Sequence, residues 1–303
     1  MAYIVIDLEW NTANWKTRRK LKDKLPFSAE IMEIGAVLLD SDFTIQSAFS
    51  TDVKAKYFTF LDKHVEEVTG RDEESLSQGL PFPQALQAFY NWLEENEVQD
   101  YIFCTWSKAD IDPWLSNMAH YKLEHRVKAK VLDVQRLFGH HIENLKEQKS
   151  VCFALEHFNI PADRDFHKAI NDAYYTAEIL QCLVSGLKAR AKLPQDNAAC
   201  YKVMKSLSID PTLTTRAKIK LPAFKNIKAA KRSIKKMTWA CPACGKELPG
   251  LALWETRKET HFYRKLHCPE HGIVNVEVSL YFNSKEKPPA WQGQAKVQLK
   301  MPL

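Results

Sequence analysis

The 303-residue sequence has no long apolar run, no internal repeat and no low-complexity segment. No stretch approaches the roughly 18 consecutive apolar residues of a membrane-spanning helix, so we expect no membrane partner. The first apolar run, residues 3–6, has no basic segment before it and meets Asp7 too early for a secretory signal peptide. These absences predict a globular protein that stays in the cytoplasm.

Cysteine is sparse along most of the chain. Four cysteines stand apart in apolar contexts, at Cys104, Cys152, Cys182 and Cys200. Such scattered cysteines predict thiols, because disulfides are rare in cytoplasmic proteins. The other three lie close together with the spacing of metal ligands, at Cys241, Cys244 and Cys268.

Acidic residues are scarce in one segment. Residues 186–240 carry 14 Lys/Arg and only two Asp/Glu, whereas residues 1–185 carry 20 Lys/Arg and 29 Asp/Glu. The formal net charge of +6 therefore hides a basic segment on an acidic body. Such a segment is typical of proteins that bind nucleic acid or another polyanion, and a solvated helix face is the structural alternative.

The most informative stretch is the N-terminal run Tyr3–Trp10. Four apolar residues predict a strand buried on both faces, and side chains two apart point the same way, so Asp7 and Glu9 leave one face together. Two carboxylates this close oppose each other's ionisation unless a cation binds them. Oxygen ligands favour a hard divalent metal.

The rest of the first 190 residues alternates between predicted strands and helices. Residues 11–29 are polar and predict a long loop. Strands are predicted at 31–39, 43–51, 101–106 and 129–132, the first two forming an antiparallel meander with the N-terminal strand. Helices are predicted at 61–69, 83–95, 150–157, from about 167 to 188, and at 196–207.

Further acids and a histidine stand where these later elements begin. Asp110 and Asp112 occupy a strand-to-helix junction, which repeats the pattern of the N-terminal strand. His167 lies in the loop before the long helix or in its first turn, and Asp172 lies within the helix, so both are able to face the sheet end that carries Asp7.

These residues resemble, in order and spacing, the three motifs of the DEDDh 3′-to-5′ exonucleases: Asp7-x-Glu9, Asp110 and His167-x4-Asp172. That family includes ribonuclease T, oligoribonuclease and polymerase proofreading subunits. The similarity covers about residues 1–187. Three motifs in order on the expected elements are specific, whereas each alone is weak.

The subgroup that trims histone messenger and small interfering RNAs is the most similar, through residues 33–37 and 109–115. Two positions depart from the family pattern. Trp10 stands where the family usually has a small residue or Thr. The middle motif lacks the His-Asn pair that precedes its Asp in some members, so Asp112 stays open as an alternative to Asp110, which the position of Trp114 favours.

The resemblance implies an α/β fold with a ribonuclease-H-like mixed sheet flanked by helices. It also implies two Mg²⁺ or Mn²⁺ ions, with Asp7 bridging them, Glu9 and Asp172 nearer the attacking water, and Asp110 on the second ion. His167 is the implied general base. The implied contacts to substrate are Leu8, Trp10 and Trp114.

The C-terminal region predicts a zinc ribbon. Cys241-Pro-Ala-Cys244-Gly and Cys268-Pro-Glu-His271-Gly form two knuckles that set four ligands about one ion, with strands predicted at 251–257, 261–266 and 273–282. His267 is the rival fourth ligand, although adjacent ligands fit a knuckle poorly. Because protein fills all four positions, the zinc should be structural.

The ribbon also carries aromatic residues that are able either to stack on bases or to form a small core: Trp254, Phe262, Tyr263 and Tyr281. The predicted organisation is an exonuclease domain at 1–190, a basic linker or helical arm at 191–237, and a zinc ribbon at 238–303.

The expected function is a metal-dependent 3′-to-5′ exonuclease that hydrolyses terminal phosphodiester bonds of single-stranded RNA or DNA and releases nucleoside 5′-monophosphates. The alternative is a non-catalytic nucleic-acid-binding or regulatory protein on the same fold. Retention of all four carboxylates and His167 favours the enzyme.

Overall fold

The computed structural model describes residues 1–22, 24–123, 129–142, 148–211, 216–248, 254–285 and 290–299. They form two compact units, which divide the chain between residues 212 and 213. Across these described ranges, no helix is long and apolar enough to cross a membrane.

The first unit is built on a six-stranded mixed sheet. Its strands are β1 (Ala2–Thr12), β2 (Ala29–Leu39), β3 (Ile45–Lys54), β4 (Leu80–Pro81), β5 (Tyr101–Thr105) and β6 (Lys130–Asp133). Their order is β4-β3-β2-β1-β5-β6. Strands β1 to β3 form the predicted antiparallel meander, and β5 and β6 extend the sheet in parallel with β1. The predicted α/β class is confirmed.

Helices cover both faces of this sheet. They are α1 (Trp15–Lys20), α2 (Lys63–Thr69), α3 (Phe82–Glu95), α4 (Ile111–His120), α5 (Val134–Ile142), α6 (Val151–Phe158), α7 (Ala169–Ala189) and α8 (Asn197–Leu207). Helices α5 to α8 contribute to the core on one face, and α3 and α4 to the core on the other. The prediction of a loop over 11–29 was wrong in part, because β1 continues to Thr12 and α1 follows.

The alternation of side chains along β1 decides where its carboxylates point. Tyr3 and Val5 lie in the core that includes α7, whereas Ile4 and Ile6 lie in the core that includes α3 and α4. Asp7 is the next residue in the first series. Its side chain therefore leaves the sheet on the α7 face, as does that of Glu9 two residues later.

Helix α7 meets the sheet in very close contact at Gly35. This glycine is the β2 partner of Asp7 in the antiparallel register. A Cβ atom at Gly35 would lie 2.2 Å from the backbone carbon of Ala169, the first residue of α7. The missing side chain thus lets the start of α7 rest on the strand, next to Asp7.

The second unit holds a separate five-stranded antiparallel sheet, a two-stranded hairpin and one described helix. Its elements are β7 (Arg216–Lys220), α9 (Ile227–Lys236), β8 (Trp239–Ala240), β9 (Glu247–Leu248), β10 (Glu255–Lys258), β11 (His261–Cys268), β12 (Gly272–Asn283) and β13 (Ala290–Leu299). The large sheet has the order β10-β11-β12-β13-β7, and β8 pairs with β9. Residues 251–253 of a predicted strand lie outside the described residues.

The structure divides the segment 191–237, expected as a linker or arm, between the two units. Helix α8 belongs to the first unit, where Tyr201 and Met204 enter the core. Strand β7 and helix α9 belong to the second unit, where Ala230 and Ile234 are buried. Several interleaved apolar residues of this basic segment are therefore core positions, whereas Ile219 on β7 is exposed.

The substitution Gly35→Ala should destabilise the first unit by about 1–3 kcal/mol, because the added methyl group overlaps the backbone of α7 and forces the helix away. Denaturant unfolding measures the change. The control is Gly186→Ala within α7, where a new Cβ would approach only the Arg190 guanidinium, at 3.8 Å. The control should be neutral or stabilising by up to about 1 kcal/mol. Equal stability of Gly35→Ala and the wild type would contradict the close contact.

Candidate functional site

A cavity of about 540 Å³ lies in the first unit and gathers all five residues predicted to be catalytic. They are Asp7, Glu9, Asp110, His167 and Asp172. Four separate segments contribute them: strand β1, the turn before α4, the loop before α7, and the first turn of α7 itself. Residues up to 165 positions apart in sequence, Asp7 and Asp172, thus share one cavity.

The loop before α7 has a fixed geometry. The backbone N–H of His167 donates to Oδ2 of Asp172 over 2.8 Å, and the Asn171 side chain donates to the carbonyl of Asp165 over 2.9 Å. His167 has a φ of +61°, in the left-handed region, and its side chain is exposed. The ligand atoms of Glu9, His167 and Asp172 all lie within 4.8 Å of one another.

The carboxylates raise one another's pKa values. Burial raises the pKa of Asp7 well above its ordinary value, and the charges of Asp110, Asp172 and Glu9 add to the effect. Burial also raises the pKa of Glu9 to about 8, with further contributions from Asp172 and Glu33. Without a cation, the cluster therefore holds protons near neutral pH.

Burial also raises the pKa values of Asp110 and Asp172, and backbone hydrogen bonds partly oppose this effect. Burial raises the pKa of Asp110 to about 7, although the backbone N–H groups of Leu8 and Asp110 favour the ionised form. Burial likewise raises the pKa of Asp172, and the His167 backbone N–H opposes this. Four oxygen-bearing groups that disfavour their own ionisation fit a hard divalent cation. Asp7, Glu9, Asp110 and Asp172 would hold it.

Glu33 adds a fifth carboxylate beside this cluster. It is the β2 neighbour opposite Glu9, is buried, and forms an ion pair with Arg71 over 2.5 Å. Arg71 also contacts Asp52 over 2.8 Å. Burial raises the pKa of Glu33, whereas Arg71 and the backbone N–H of Ala169 lower it. The carboxylate of Glu33 is thus paired with Arg71 and accepts a hydrogen bond from the backbone at the start of α7.

The structure distinguishes between the two acids of the middle motif. Asp110 is buried and lines the cavity, whereas Asp112 is exposed on α4 and does not line it. Leu8 and Trp10, which the resemblance implies contact the substrate, line the cavity. Trp114 does not, so its expected contact with substrate is corrected. It lies in the core beneath α3, with its ring centroid 5.7 Å from that of Phe89.

One wall of the cavity was missed by sequence reasoning. It comes from α2 and consists of His64, Val65, Val68 and Thr69. The helix itself was predicted, but nothing in its sequence shows that it borders the cavity. Ser150, Val151 and Cys152 at the start of α6 complete the lining with Trp106, Ser107, Ala109 and Phe166.

The second unit brings together the four predicted zinc ligands, Cys241, Cys244, Cys268 and His271. Cys244 Sγ lies 3.7 Å from Cys268 Sγ, and Nδ1 of His271 lies 3.6 Å from Cys268 Sγ and 3.8 Å from Cys241 Sγ. Ligands about 2.3 Å from one ion at tetrahedral angles lie about 3.8 Å apart. These separations fit one zinc ion.

The local chemistry of the knuckles agrees with this fit. Burial raises the pKa of the Cys268 thiol, but the hydrogen bond from His271 and backbone N–H groups lower it to about 7, which favours the thiolate. Gly245 and Gly272 close the two turns with φ values of 73° and 78°, which glycine adopts without strain. His267 is exposed on β11 and lies outside the ligand group.

The aromatic residues of this unit fall into two classes. Trp254 packs edge-on against Trp239, with ring centroids 6.0 Å apart, and Phe262 is buried in the same core. Tyr263 is half-buried and donates to Asn275 over 2.6 Å, whereas Tyr281 is exposed. Core packing thus accounts for two of the four aromatic residues that were expected either to stack on bases or to form a small core.

The sequence from residue 4 to residue 180 matches the family model RNase_T, described as Exonuclease. That match spans more than half of the chain and includes all five residues of the cavity cluster. No curated protein matches the chain by sequence.

Several solved structures share the fold. The nuclease domain of 3′hExo, described as a DEDDh family member bound to rAMP, has a TM-score of 0.53 and 21% identity, covering 61% of this chain and 92% of its own. A full-length 3′-exonuclease has a TM-score of 0.51 and 20% identity, covering 61% and 82%. The 3′-exonuclease in a structure of histone mRNA stem-loop recognition has a TM-score of 0.51 and 19% identity, with the same coverage.

Divalent-ion binding to the cavity should strengthen as pH rises from about 6 to 9, because Glu9 and Asp110, with pKa values of about 8 and 7, must lose their protons to ligate. Titration calorimetry in buffers of different ionisation enthalpy should show proton release, greater at the lower pH. Asp7→Asn should remove most of this binding. Affinity that does not change with pH would contradict the raised pKa values.

The same shifts set the stability of the ion-free protein. A carboxylate whose pKa is raised by folding contributes most stability below its unfolded value near 4, and that contribution declines as pH rises through the folded value. The ion-free first unit should therefore melt at a lower temperature at pH 8.5 than at pH 6, and added Mg²⁺ or Mn²⁺ should reverse most of the loss. Differential scanning calorimetry tests both statements.

Zinc should fold the second unit. Elemental analysis of dialysed protein should find about one zinc per chain, and none in Cys244→Ser, whose second unit should lose protease resistance while the first unit keeps its unfolding transition. Cys182→Ser, a thiol change in α7, is the matched control. His271→Ala should lose zinc and His267→Ala should keep it. A folded, zinc-free wild-type unit would overturn this assignment.

Proposed function

The chain belongs to the RNase T family of exonucleases, of the DEDDh type, and from this premise we propose that it is a metal-dependent 3′-to-5′ exonuclease of single-stranded nucleic acid. The observation that carries the proposal is the meeting of Asp7, Glu9, Asp110 and Asp172 with His167 in one cavity. A family member that had lost the reaction would have no reason to keep four mutually repelling carboxylates together.

The carboxylates would hold two Mg²⁺ or Mn²⁺ ions, and such a pair stabilises charge on the attacking and leaving oxygens of a phosphodiester. The charges of Asp110, Asp172 and Glu9 all act on Asp7, so Asp7 would contribute to holding both ions. Glu9 and Asp172 stand near His167, whereas Asp110 enters from the turn before α4.

His167 is suited to accept the proton of the attacking water. Its imidazole is exposed at the cavity, close to Glu9 and Asp172, and imidazole exchanges protons near neutral pH. The hydrogen bond between its backbone and Asp172 fixes the loop, so the ring approaches the carboxylates from a defined direction. Proton transfer to His167 would leave the water oxygen free to form a bond to the phosphorus of the terminal nucleotide. The bond from this phosphorus to the 3′-oxygen of the preceding nucleotide would break, so that a nucleoside 5′-monophosphate leaves and the 3′-oxygen takes up a proton from water.

The lining of the cavity suits a terminal nucleotide. Leu8 and Trp10 flank the carboxylates with apolar surface, and Val65 and Val68 face the cavity from α2. A base is able to lie against these side chains while its phosphate is held at the acidic end. The 3′-to-5′ direction is inferred from family membership, and both RNA and DNA strands belong in the test.

The second unit completes the proposal as a nucleic-acid-binding module with a structural zinc ion. The exposed side of α9 carries Lys228, Arg232, Lys235 and Lys236, opposite the buried Ala230 and Ile234. This amphipathic division puts positive charge on the surface of the unit, where phosphates are able to reach it. We place the protein in the cytoplasm.

The test uses a single strand, RNA or DNA, labelled at its 5′ end, with Mg²⁺ or Mn²⁺ and with EDTA as the metal-free control. The wild type should shorten the strand one nucleotide at a time from the 3′ end. Asp7→Asn and Asp172→Asn should abolish this, and His167→Ala should lower the rate by about 10²–10⁴-fold. Asp112→Asn, the exposed acid of the same motif, should behave like the wild type. Strands unchanged in both metals would refute the enzyme and favour a non-catalytic binding role.

A further inference from the structure

We propose that helix α1 is a platform for the single strand just outside the cavity, where Trp15 stacks on a base and Arg18 and Arg19 contact phosphates. The inference rests on the proposed function and extends it, because it adds a second point of contact that neither the motifs nor the cavity lining contains. It assigns a role to the stretch Trp15–Lys20, which is absent from the catalytic cluster.

Chain connectivity places the platform beside the catalytic strand. Glu9 lies on β1, and α1 begins six residues later at Trp15. Six residues span at most about 20 Å even when fully extended. A nucleic-acid strand whose 3′ end reaches Glu9 is therefore able to reach Trp15 with only a few more nucleotides.

A buried asparagine ties the end of β1 to the cavity wall. Asn11 is fully buried, and its amide donates to the carbonyls of Phe58 and Phe60 over 2.9 and 3.0 Å. Its Oδ1 accepts from the backbone N–H of Asp62 over 3.0 Å. Asp62 is in turn the N-cap of α2, the helix that lines the cavity. All polar atoms of the Asn11 side chain thus serve to hold this segment.

A second asparagine fixes α1 itself. Asn14 caps the helix by accepting from the backbone N–H of Thr17 over 3.0 Å, and its amide donates to the carbonyl of Leu61 over 2.9 Å. Thr17 is fully buried, so one side of α1 faces the protein. The orientation of the helix is therefore set, with Trp15, Arg18 and Arg19 exposed.

Trp15 is the most exposed large apolar side chain among the described residues, at 68%. An indole left in water forgoes the free energy that burial provides, and tryptophan is usually well buried. A flat ring held on an anchored helix beside a nucleic-acid site suits base stacking, which every base supports through its π face. The exposure is thus explained by a ligand that covers the ring.

The segment that begins at Trp15 is rich in positive charge. Residues 15–24 carry six Lys/Arg and one Asp, although the first 185 residues carry more acids than bases. The ammonium groups of Lys16 and Lys20 lie 5.5 and 5.7 Å from the centre of the Phe60 ring, and that of Lys16 also lies 3.9 Å from Glu73. Between described residues, no ion pair within 4.0 Å involves Arg18 or Arg19. The local charge matches a polyanion.

The test uses the full chain and compares two substrates. A labelled single-stranded oligonucleotide reaches beyond the cavity, whereas a nucleotide p-nitrophenyl ester has nothing upstream of the cleaved bond. Trp15→Ala should weaken oligonucleotide binding by about tenfold, measured by fluorescence anisotropy in EDTA, and should raise KM without lowering kcat. Trp15→Phe should retain most of the affinity. Ester hydrolysis should be unchanged in both variants.

The charges are tested by salt dependence. Arg18→Gln combined with Arg19→Gln should reduce the slope of log affinity against log salt by about 1.4, since each phosphate contact on a single strand contributes about 0.7. The control is Lys192→Gln with Lys202→Gln. Lys192 lies before α8 and Lys202 lies within it, and both are exposed. In this helix Tyr201 packs against Tyr3, at the opposite end of β1 from Glu9, with ring centroids 5.5 Å apart. The control should leave the slope unchanged.

The outcomes separate this inference from the proposed function. A wild type that cleaves neither substrate refutes the proposed function, while the binding comparisons still decide the role of α1. Active enzyme whose oligonucleotide affinity and salt slope are the same in all variants overturns the platform. If the arginine variant and the lysine control lose the same affinity, the platform is also overturned, because the effect would then come from the total charge of the protein. If α1 binds only protein, oligonucleotide affinity and salt slope should likewise be the same in all variants.

Discussion

The contact between α7 and Gly35 is the constraint on which the rest of the first unit depends. It fixes the start of the helix against the strand neighbour of Asp7, so that Asp172 and the loop with His167 arrive at the acidic end of β1. Glu33 reinforces the contact from the same strand, through its interaction with the backbone of Ala169. Displacement of this helix would carry Asp172 and His167 away from the other three carboxylates, which lie on β1 and before α4.

Hydrophobic packing in the cores on the two sheet faces offsets the free-energy cost of this charge cluster. Clustered, partly buried carboxylates oppose their own ionisation, so the ion-free site works against folding near neutral pH. Side chains alternate along β1, so Tyr3 and Val5 lie in one core and Ile4 and Ile6 in the other. Asp7, the first acid, comes directly after these four residues. The site is thus built at the end of a strand whose first residues are buried on both faces, and this packing offsets the unfavourable charge.

Local patterns predicted the site better than they predicted the walls around it. The spacing of Asp7 and Glu9 was enough to put both on one face, because strand periodicity is a local property. The choice of Asp110 over Asp112, and the burial of Trp114, depend on how α4 turns after β5, which periodicity does not decide. Helix α1 was predicted as a loop because its stability comes from Asn14 and its neighbours across the chain.

The order of strands in the second unit has a consequence for biosynthesis. Strand β7 comes first in sequence, yet its partner is β13, the last strand described, and Lys220 pairs with Gln294 across more than 70 residues. On the ribosome, β7 must wait unpaired while the zinc knuckles and three other strands of the sheet emerge. A polypeptide whose translation stops before residue 290 lacks β13, so β12 becomes an unpaired edge strand. Exposed edge strands tend to pair with other chains. Completion of translation is therefore itself a safeguard against aggregation of this unit.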